Sequence, residues 1–178
     1  TPIDFCVGFG HREVGLAVGD FAAGLGHKKA LTLTANDERA GRRRDAFAER
    51  FGKLTGSVVT RVEAAGPATI AAGRKGLADA LEQGFDGSLV FCSSDLMAHG
   101  VLIEAQARGI RVPEDLAVIG FGDQEFAEAL EPAVTTVRVD RDRLGRVAAE
   151  VMHARIGGQP IEQSVYDLGF EIIRRASA

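Results

Sequence analysis

Apolar and polar positions along this chain switch repeatedly between the two-residue period of a strand and the wider period of a helix. Ile3 to Phe9 is a short apolar run ended by Gly8 and Gly10 and reads as a strand. From His11 to about Leu25, Val14, Val18, Phe21, Ala22 and Leu25 share one helical face, and Gly26 supplies a stop. Ala30 to Thr34 alternates Leu31 and Leu33 with threonines, a strand pattern. Asn36-Asp37-Glu38 then gives a turn and cap for a helix to about Leu54, with Phe47, Phe51 and Leu54 as its inward stripe. Val58 to Val62 predicts a strand. A helix follows from Pro67 or Ala68 to Gln83, with Pro67 in its first turn. Ser88 to Cys92 is the next strand, and Ser94 or Asp95 caps a helix to Arg108, with Gly109 after it and Pro113 beyond.

Leu116 to Phe121 and Val134 to Val139 add two strands. Asp140 caps an amphipathic helix whose stripe is Leu144, Val147, Ala148, Val151 and Ile156, stopped by Gly157-Gly158. Short strands near Val165 and from Glu171 to Ile173 finish the chain. The regular strand–helix alternation implies an α/β fold with a parallel sheet covered by helices on both faces. No internal repeat, low-complexity tract or linker interrupts it.

In open α/β sheets, ligands bind outside the carboxyl ends of the strands. The turns at that end are Ala35 to Arg39, Ala64 to Pro67, Ser93 to Asp95 and Gly122 to Gln124, and three of the four carry polar or charged side chains. Arg43 stands out, because it lies one turn before Phe47 on the core-facing stripe of its helix. A cation near a helix start opposes the macrodipole. It therefore calls for an anionic partner, either a ligand carboxylate, phosphate or hydroxyl pair, or a rim acid such as Asp37 or Glu38. Arg42 and Arg44 point about 100° to either side, and nothing basic surrounds the run, so it does not form a nucleic-acid patch.

Ser93, Ser94 and Asp95 with His99 could be taken for catalytic groups. Yet Asp95 and His99 sit one turn apart on one helix and no Gly-x-Ser-x-Gly elbow exists. Capping explains Ser-Ser-Asp, either alone or with a side chain that also reaches ligand. Asp123 follows Gly120-Phe121-Gly122, whose glycines permit a tight turn and close ligand approach. The spacing is not that of a phosphate loop, and no Lys follows. The four histidines lack paired ligands at metal spacing, so no metal or cofactor is expected.

Length and composition narrow the class. The 178 residues suit one α/β domain, or one domain plus part of another. A formal charge of −4 does not suit a chain that grips phosphate backbone by itself. Cys6 and Cys92 each fall in an apparent buried strand with no CxxC pattern, which reads as two reduced core thiols in a cytoplasmic protein. No apolar run approaches the roughly 18 residues of a membrane span.

With these residues placed, the chain resembles the effector-binding region of the lactose-repressor/galactose-repressor family. The likeness covers nearly the whole chain. It is densest at Gly26-His27-Lys28-Lys29, Ser94-Asp95-Leu96-Met97-Ala98, Gly109-Ile110-Arg111-Val112-Pro113-Glu114-Asp115, Ile119-Gly120-Phe121 and Pro132 to Val137. Gly8-Phe9-Gly10-His11 and Gly120-Phe121-Gly122-Asp123 resemble the gluconate-repressor branch. The resemblance implies a Rossmann-like, periplasmic-binding-protein-like (type I) fold of two α/β subdomains joined by three crossovers, with a sugar or purine held in the cleft. On that comparison residues 1–10 hold the last strand of the N-terminal subdomain, and 11–137 are the C-terminal subdomain. Residues 138–160 return as a helix to the first subdomain, and 161–178 are strands of the second. The DNA-reading head and most of the N-terminal subdomain would lie outside this chain, so specific operator binding by it is not expected.

The resemblance implies no catalysis and carries three positions over as effector contacts. Arg43 matches the family's effector-contacting arginine, and Ser94 stands where members often place Asn or another polar contact. The acid usual directly after Gly-Phe is replaced by Gly122, so its role passes to Asp123. Arg39 is a further candidate on the same rim. The expected partners are a small sugar, sugar acid or polyol and a second copy of the chain in a homodimer. Operator DNA would be contacted only through the absent head, and no membrane is involved. The competing readings are a periplasmic sugar-binding protein of a transport system and an α/β enzyme.

Overall fold

The computed structural model describes residues 4–160 and 163–178. It divides into two compact units, one of residues 1–10 and 139–171, the other of 11–138 and 172–178.

The larger unit is built on a four-stranded parallel sheet in the order β3-β2-β4-β5. Its strands are β2 (Ala30–Thr34), β3 (Thr60–Glu63), β4 (Leu89–Cys92) and β5 (Ala117–Ile119). Leu31 is level with Thr60 on one side and Val90 on the other. That register sends Leu31, Leu33, Val90, Cys92 and Val118 to one face, where Leu77, Met97 and Val101 pack on them. These last three come from α3 (Ile70–Glu82) and α4 (Asp95–Ala107). The opposite face carries Phe91, whose ring centroid is 5.1 Å from that of Phe47 on α2 (Glu38–Thr55). Phe47 in turn stacks on Phe51, and both are fully buried. α1 (His11–Gly24) lies against α2, with Val14, Val18 and Ala22 buried. Helices therefore cover both faces, as the alternation requires.

Small residues set the helix spacing. A Cβ at Gly73 would overlap the Met97 carbonyl, and one at Gly100 would overlap the Ile70 carbonyl. Gly15 makes the same kind of approach to the Arg43 carbonyl, so α1 sits against the backbone that carries Arg43. The last residues staple the sheet edge. Fully buried Ser177 donates from Oγ to the Val118 carbonyl at 2.6 Å and accepts from the Thr135 amide at 2.8 Å. Beside it, β6 (Thr136–Arg138) pairs with β8 (Glu171–Ile173).

In the smaller unit, β1 (Cys6–Gly8) pairs in parallel with β7 (Val165–Asp167). α5 (Arg141–Ile156) packs on β1 and is capped by Asp140, whose carboxylate accepts from the Arg143 amide at 2.8 Å. The segment from 161 onward thus divides: β7 pairs with β1, and residues 172–178 join the larger unit. Ile161 lies outside the described residues, as does Ile3, where the first strand was expected to begin.

Several expectations shift. Cys6 is exposed and only Cys92 is a core thiol: among the described residues β1 pairs with one strand, while β4 is paired on both sides. Leu54 is 46% and Ile156 81% exposed. Ile156 is five residues past buried Val151, about 140° around the helix and off its inward stripe. Leu54 occupies the final turn of α2. α3 begins at Ile70 rather than Pro67 or Ala68, because the Thr69 hydroxyl caps it by accepting from the Ala72 amide at 3.1 Å. The third strand starts at Thr60, leaving Val58 in solvent. A short 3-10 turn, Glu125–Glu128, had no periodic signal.

Candidate functional site

The carboxyl ends of β2 and β4 and the start of α2 surround a cavity of about 290 Å³ lined by Asn36, Asp37, Arg43, Pro67 and Ser93, among others. Asp37 has an extended backbone and a carboxylate that accepts from the Ala40 amide at 2.9 Å. That hydrogen bond holds Asp37 below the usual carboxylate range.

Arg43 is the unusual member. Its residue is only 6% exposed. Nη2 donates to the Ser93 carbonyl at 3.2 Å, Nη1 contacts His11 Nδ1 at 2.9 Å, and the guanidinium carbon sits 3.8 Å from the centroid of the Phe121 ring. Nε is buried without a hydrogen-bond partner. Among the described residues no carboxylate comes within ion-pair distance, and the Asp37 charge acts on Arg43 only from farther off, favouring the cation without outweighing its burial. Asp37 spends its charge on Arg39 at 3.5 Å, and Glu38 on Arg42 at 2.6 Å. Burial pushes Arg43 down to about 10, so it remains a cation at neutral pH. Burying a charge without an opposite charge is costly. Here the direct contacts are three neutral groups, a carbonyl, an imidazole and an aromatic face, with the Asp37 charge contributing from beyond ion-pair distance.

Ser94 caps α4, its hydroxyl accepting from the Met97 amide at 3.2 Å, and it stays half-buried on the rim. The neighbouring Ser93 is more deeply placed. Its Oγ accepts from the Ala35 amide at 3.0 Å and donates toward Met97 Sδ at 3.3 Å. Asp95 is fully buried and unavailable for catalysis: it accepts from Thr136 Oγ1 at 2.6 Å and from the Gln124 amide at 2.7 Å. Burial raises its carboxyl above the ordinary value, against those two hydrogen bonds. His99 instead lies tilted against Phe126, with centroids 5.8 Å apart.

Asp123 adopts a positive φ of 49°, after Gly122 at 120°. Its carboxylate faces Arg138 at 2.5 Å and Arg175 at 2.8 Å, so the acid displaced from Gly122 is tied to two arginines of its own unit. Arg39 is exposed beside Asp37. Arg44 pairs with Asp45 and Glu63, which removes the arginine run as a basic patch. Burial pushes the Cys92 thiol up, leaving it unreactive. Among the described residues no group of three or more His, Cys, Asp or Glu side chains could hold a metal. Nor is any helix long and apolar enough to cross a membrane.

Sequence reasoning located Arg43 but missed His11, Ser93 and Phe121 around it. The Gly-His and Gly-Phe steps at strand ends were visible signals; their convergence on one guanidinium was not. A larger cavity of about 410 Å³ between β3 and α3 is lined mainly by apolar groups such as Val62, Ala64 and Met97, and has no comparable buried charge.

A parallel sheet with polar turns at its strand ends, and a smaller α/β unit built from both ends of the chain, is the pattern of a periplasmic-binding-protein-like domain. The model of the periplasmic binding protein-like domain matches residues 3–178. The transcriptional regulator GntR of Pseudomonas aeruginosa is 33% identical over 177 residues, 97% of this chain and 51% of the relative. The repressor PurR of Vibrio atlanticus is 40% identical over 88 residues, 49% of this chain and 26% of that protein. The crystal structure of GntR from Chromobacterium violaceum superposes with a TM-score of 0.93 at 31% identity, covering 98% of this chain and 65% of that one. The chain belongs to the periplasmic binding protein-like domain family, as the effector-binding region of the lactose-repressor/galactose-repressor regulators. It spans about half the length of the Pseudomonas relative.

Proposed function

We propose that this chain senses a small polyhydroxylated acid for a bacterial transcription regulator, and that Arg43 anchors the acid's carboxylate. The observation that carries the reading is the buried Arg43 guanidinium, with no carboxylate of the described residues in ion-pair range, beside a cavity of about 290 Å³. A ligand carboxylate would supply the missing charge through charge-assisted hydrogen bonds. Ser94 and Arg39 would meet ligand hydroxyls from the rim. Asp123 would contribute less directly, by holding Arg138 and Arg175 in place. A regulator of Arthrobacter, 26% identical, was crystallised with lactose, which supports a carbohydrate-like effector.

In the whole regulator, effector binding would shift the population of DNA-binding states. Self-association as a cytoplasmic homodimer belongs to the same reading. The regulator relatives favour sensing over catalysis or transport.

Calorimetry with gluconate, a phosphosugar, and the uncharged polyol sorbitol tests the charge. The acids should bind and sorbitol should not, and Arg43→Ala should weaken the acids by about 10- to 100-fold, the loss of one charged hydrogen-bonding group. Equal affinity for sorbitol and gluconate would remove the carboxylate from the reading.

A further inference from the structure

We propose that His11 is a second effector-recognising residue paired with Arg43, and that capture of an anion at this pair draws a proton onto the His11 imidazole. The inference rests on Arg43 as the anion anchor and adds to that reading a residue and a proton.

A guanidinium only donates. The 2.9 Å contact from Arg43 Nη1 therefore requires His11 Nδ1 to accept, which means a neutral imidazole with its proton on Nε2. Arg43, Arg39, Asp37 and Arg42, on α2 and its cap, are charged groups that act on His11. Arg39 and Arg42 have acids beside them, and Arg43 has none within ion-pair distance among the described residues. Burial first, and then the Arg43 charge, hold His11 below the ordinary histidine value.

An oxyanion seated on Arg43 reverses that balance. Its negative charge offsets the guanidinium's repulsion and gives a protonated imidazole an attractive neighbour. Protonation also turns Nδ1 from an acceptor into a donor, so the Arg43 contact opens and both groups can donate to the anion. Binding and protonation then reinforce one another by linkage. An uncharged polyol lacks the charge that drives the step, so the pair discriminates an acid from its alcohol. His11 opens α1 and Arg43 lies on α2 beneath it, held by the close approach of Gly15 to the Arg43 carbonyl, so the two groups are positioned by packed helices.

The test is imidazole nitrogen NMR of this chain from about pH 5 to 8, the range in which histidine titrates. It is run on wild type and Arg43→Ala, with gluconate, with sulfate as a bare oxyanion, and with sorbitol. In wild type without ligand, His11 should be the Nε2–H tautomer with a midpoint below that of ordinary histidine. Gluconate and sulfate should move the midpoint up by about one pH unit, equivalent to roughly tenfold tighter anion binding by the protonated form, and sorbitol should leave it in place. Arg43→Ala should raise the ligand-free midpoint and abolish the anion response. A midpoint unmoved by either anion overturns the proposal. Parallel calorimetry then decides the underlying reading: gluconate binding lost on Arg43→Ala keeps Arg43 as anchor, whereas binding untouched by that substitution removes both.

Discussion

The guanidinium carbon of Arg43 lies 3.8 Å from the centroid of the Phe121 ring, so a buried cation rests on an aromatic face. A desolvated pair of this kind is worth about 2 kcal/mol. Phe121→Leu should keep the sheet but cost part of the acid affinity, less than Arg43→Ala does. Arg43→Met should unfold at the same temperature as wild type or a higher one, because it removes a buried charge that has no ion-pair partner among the described residues. A thermal melt of Arg43→Met lying well below wild type would mean that Arg43 is chiefly structural.

Gly15 ties the packing of α1 to the same site. A Cβ there would overlap the Arg43 carbonyl and crowd Ala46 Cβ. Gly15→Ala should destabilise the larger unit by about 1–3 kcal/mol, the usual cost of overpacking. It should also weaken acid binding, because α2 must move. Urea denaturation and calorimetry on one preparation measure both, and a stability loss with unchanged affinity would uncouple the helix contact from the site.

Asp95 joins three elements from a fully buried position, accepting from Thr136 on β6 and from the Gln124 amide in the rim turn. Asn in its place can accept at only one of these points and presents an amide donor to the other. Asp95→Asn should cost about 1–3 kcal/mol in urea denaturation, the penalty of an unsatisfied buried group. A variant as stable as wild type would show that the turn holds itself.

The pH dependence of stability has a definite sign. His11 and His27 are both held below the ordinary histidine value, His11 by burial and then Arg43, His27 by burial. Unfolded histidines protonate near 6.5. As pH falls through that value, the unfolded chain binds protons that the folded chain refuses, so stability present above it declines. Asp95 acts oppositely, since its raised carboxyl takes a proton at a higher pH when folded. The melting temperature should fall from about pH 7 to 5, and fall less steeply in His11→Gln. Identical slopes would contradict the neutral His11–Arg43 contact.

The relation between sequence and structure can be followed through particular residues. Strand alternation at Leu31 and Leu33, the caps at Asp37 and Ser94, and the Gly109 stop at φ 68° all fell where local chemistry put them. These features depend on neighbours a few residues away. Arg43 was identifiable because it broke an apolar stripe, a conflict visible within one helix. Cys6 and Ile156 were misjudged because their burial depends on how many strands or helices lie beyond them. The smaller unit offers few.

By itself the sequence determined the order of strands and helices, the polar character of the strand-end turns, and the presence of a cation where an apolar residue was due. Only the tertiary structure decided what that cation touches. His11, Ser93 and Phe121 are 32, 50 and 78 positions away from Arg43 in the chain, and parallel pairing of β2 with β4 and the packing of α1 on α2 bring them to it. Periodicity reports which face of an element is apolar. It carries no information about which distant polar groups converge, and convergence is what left Arg43 buried among neutral partners.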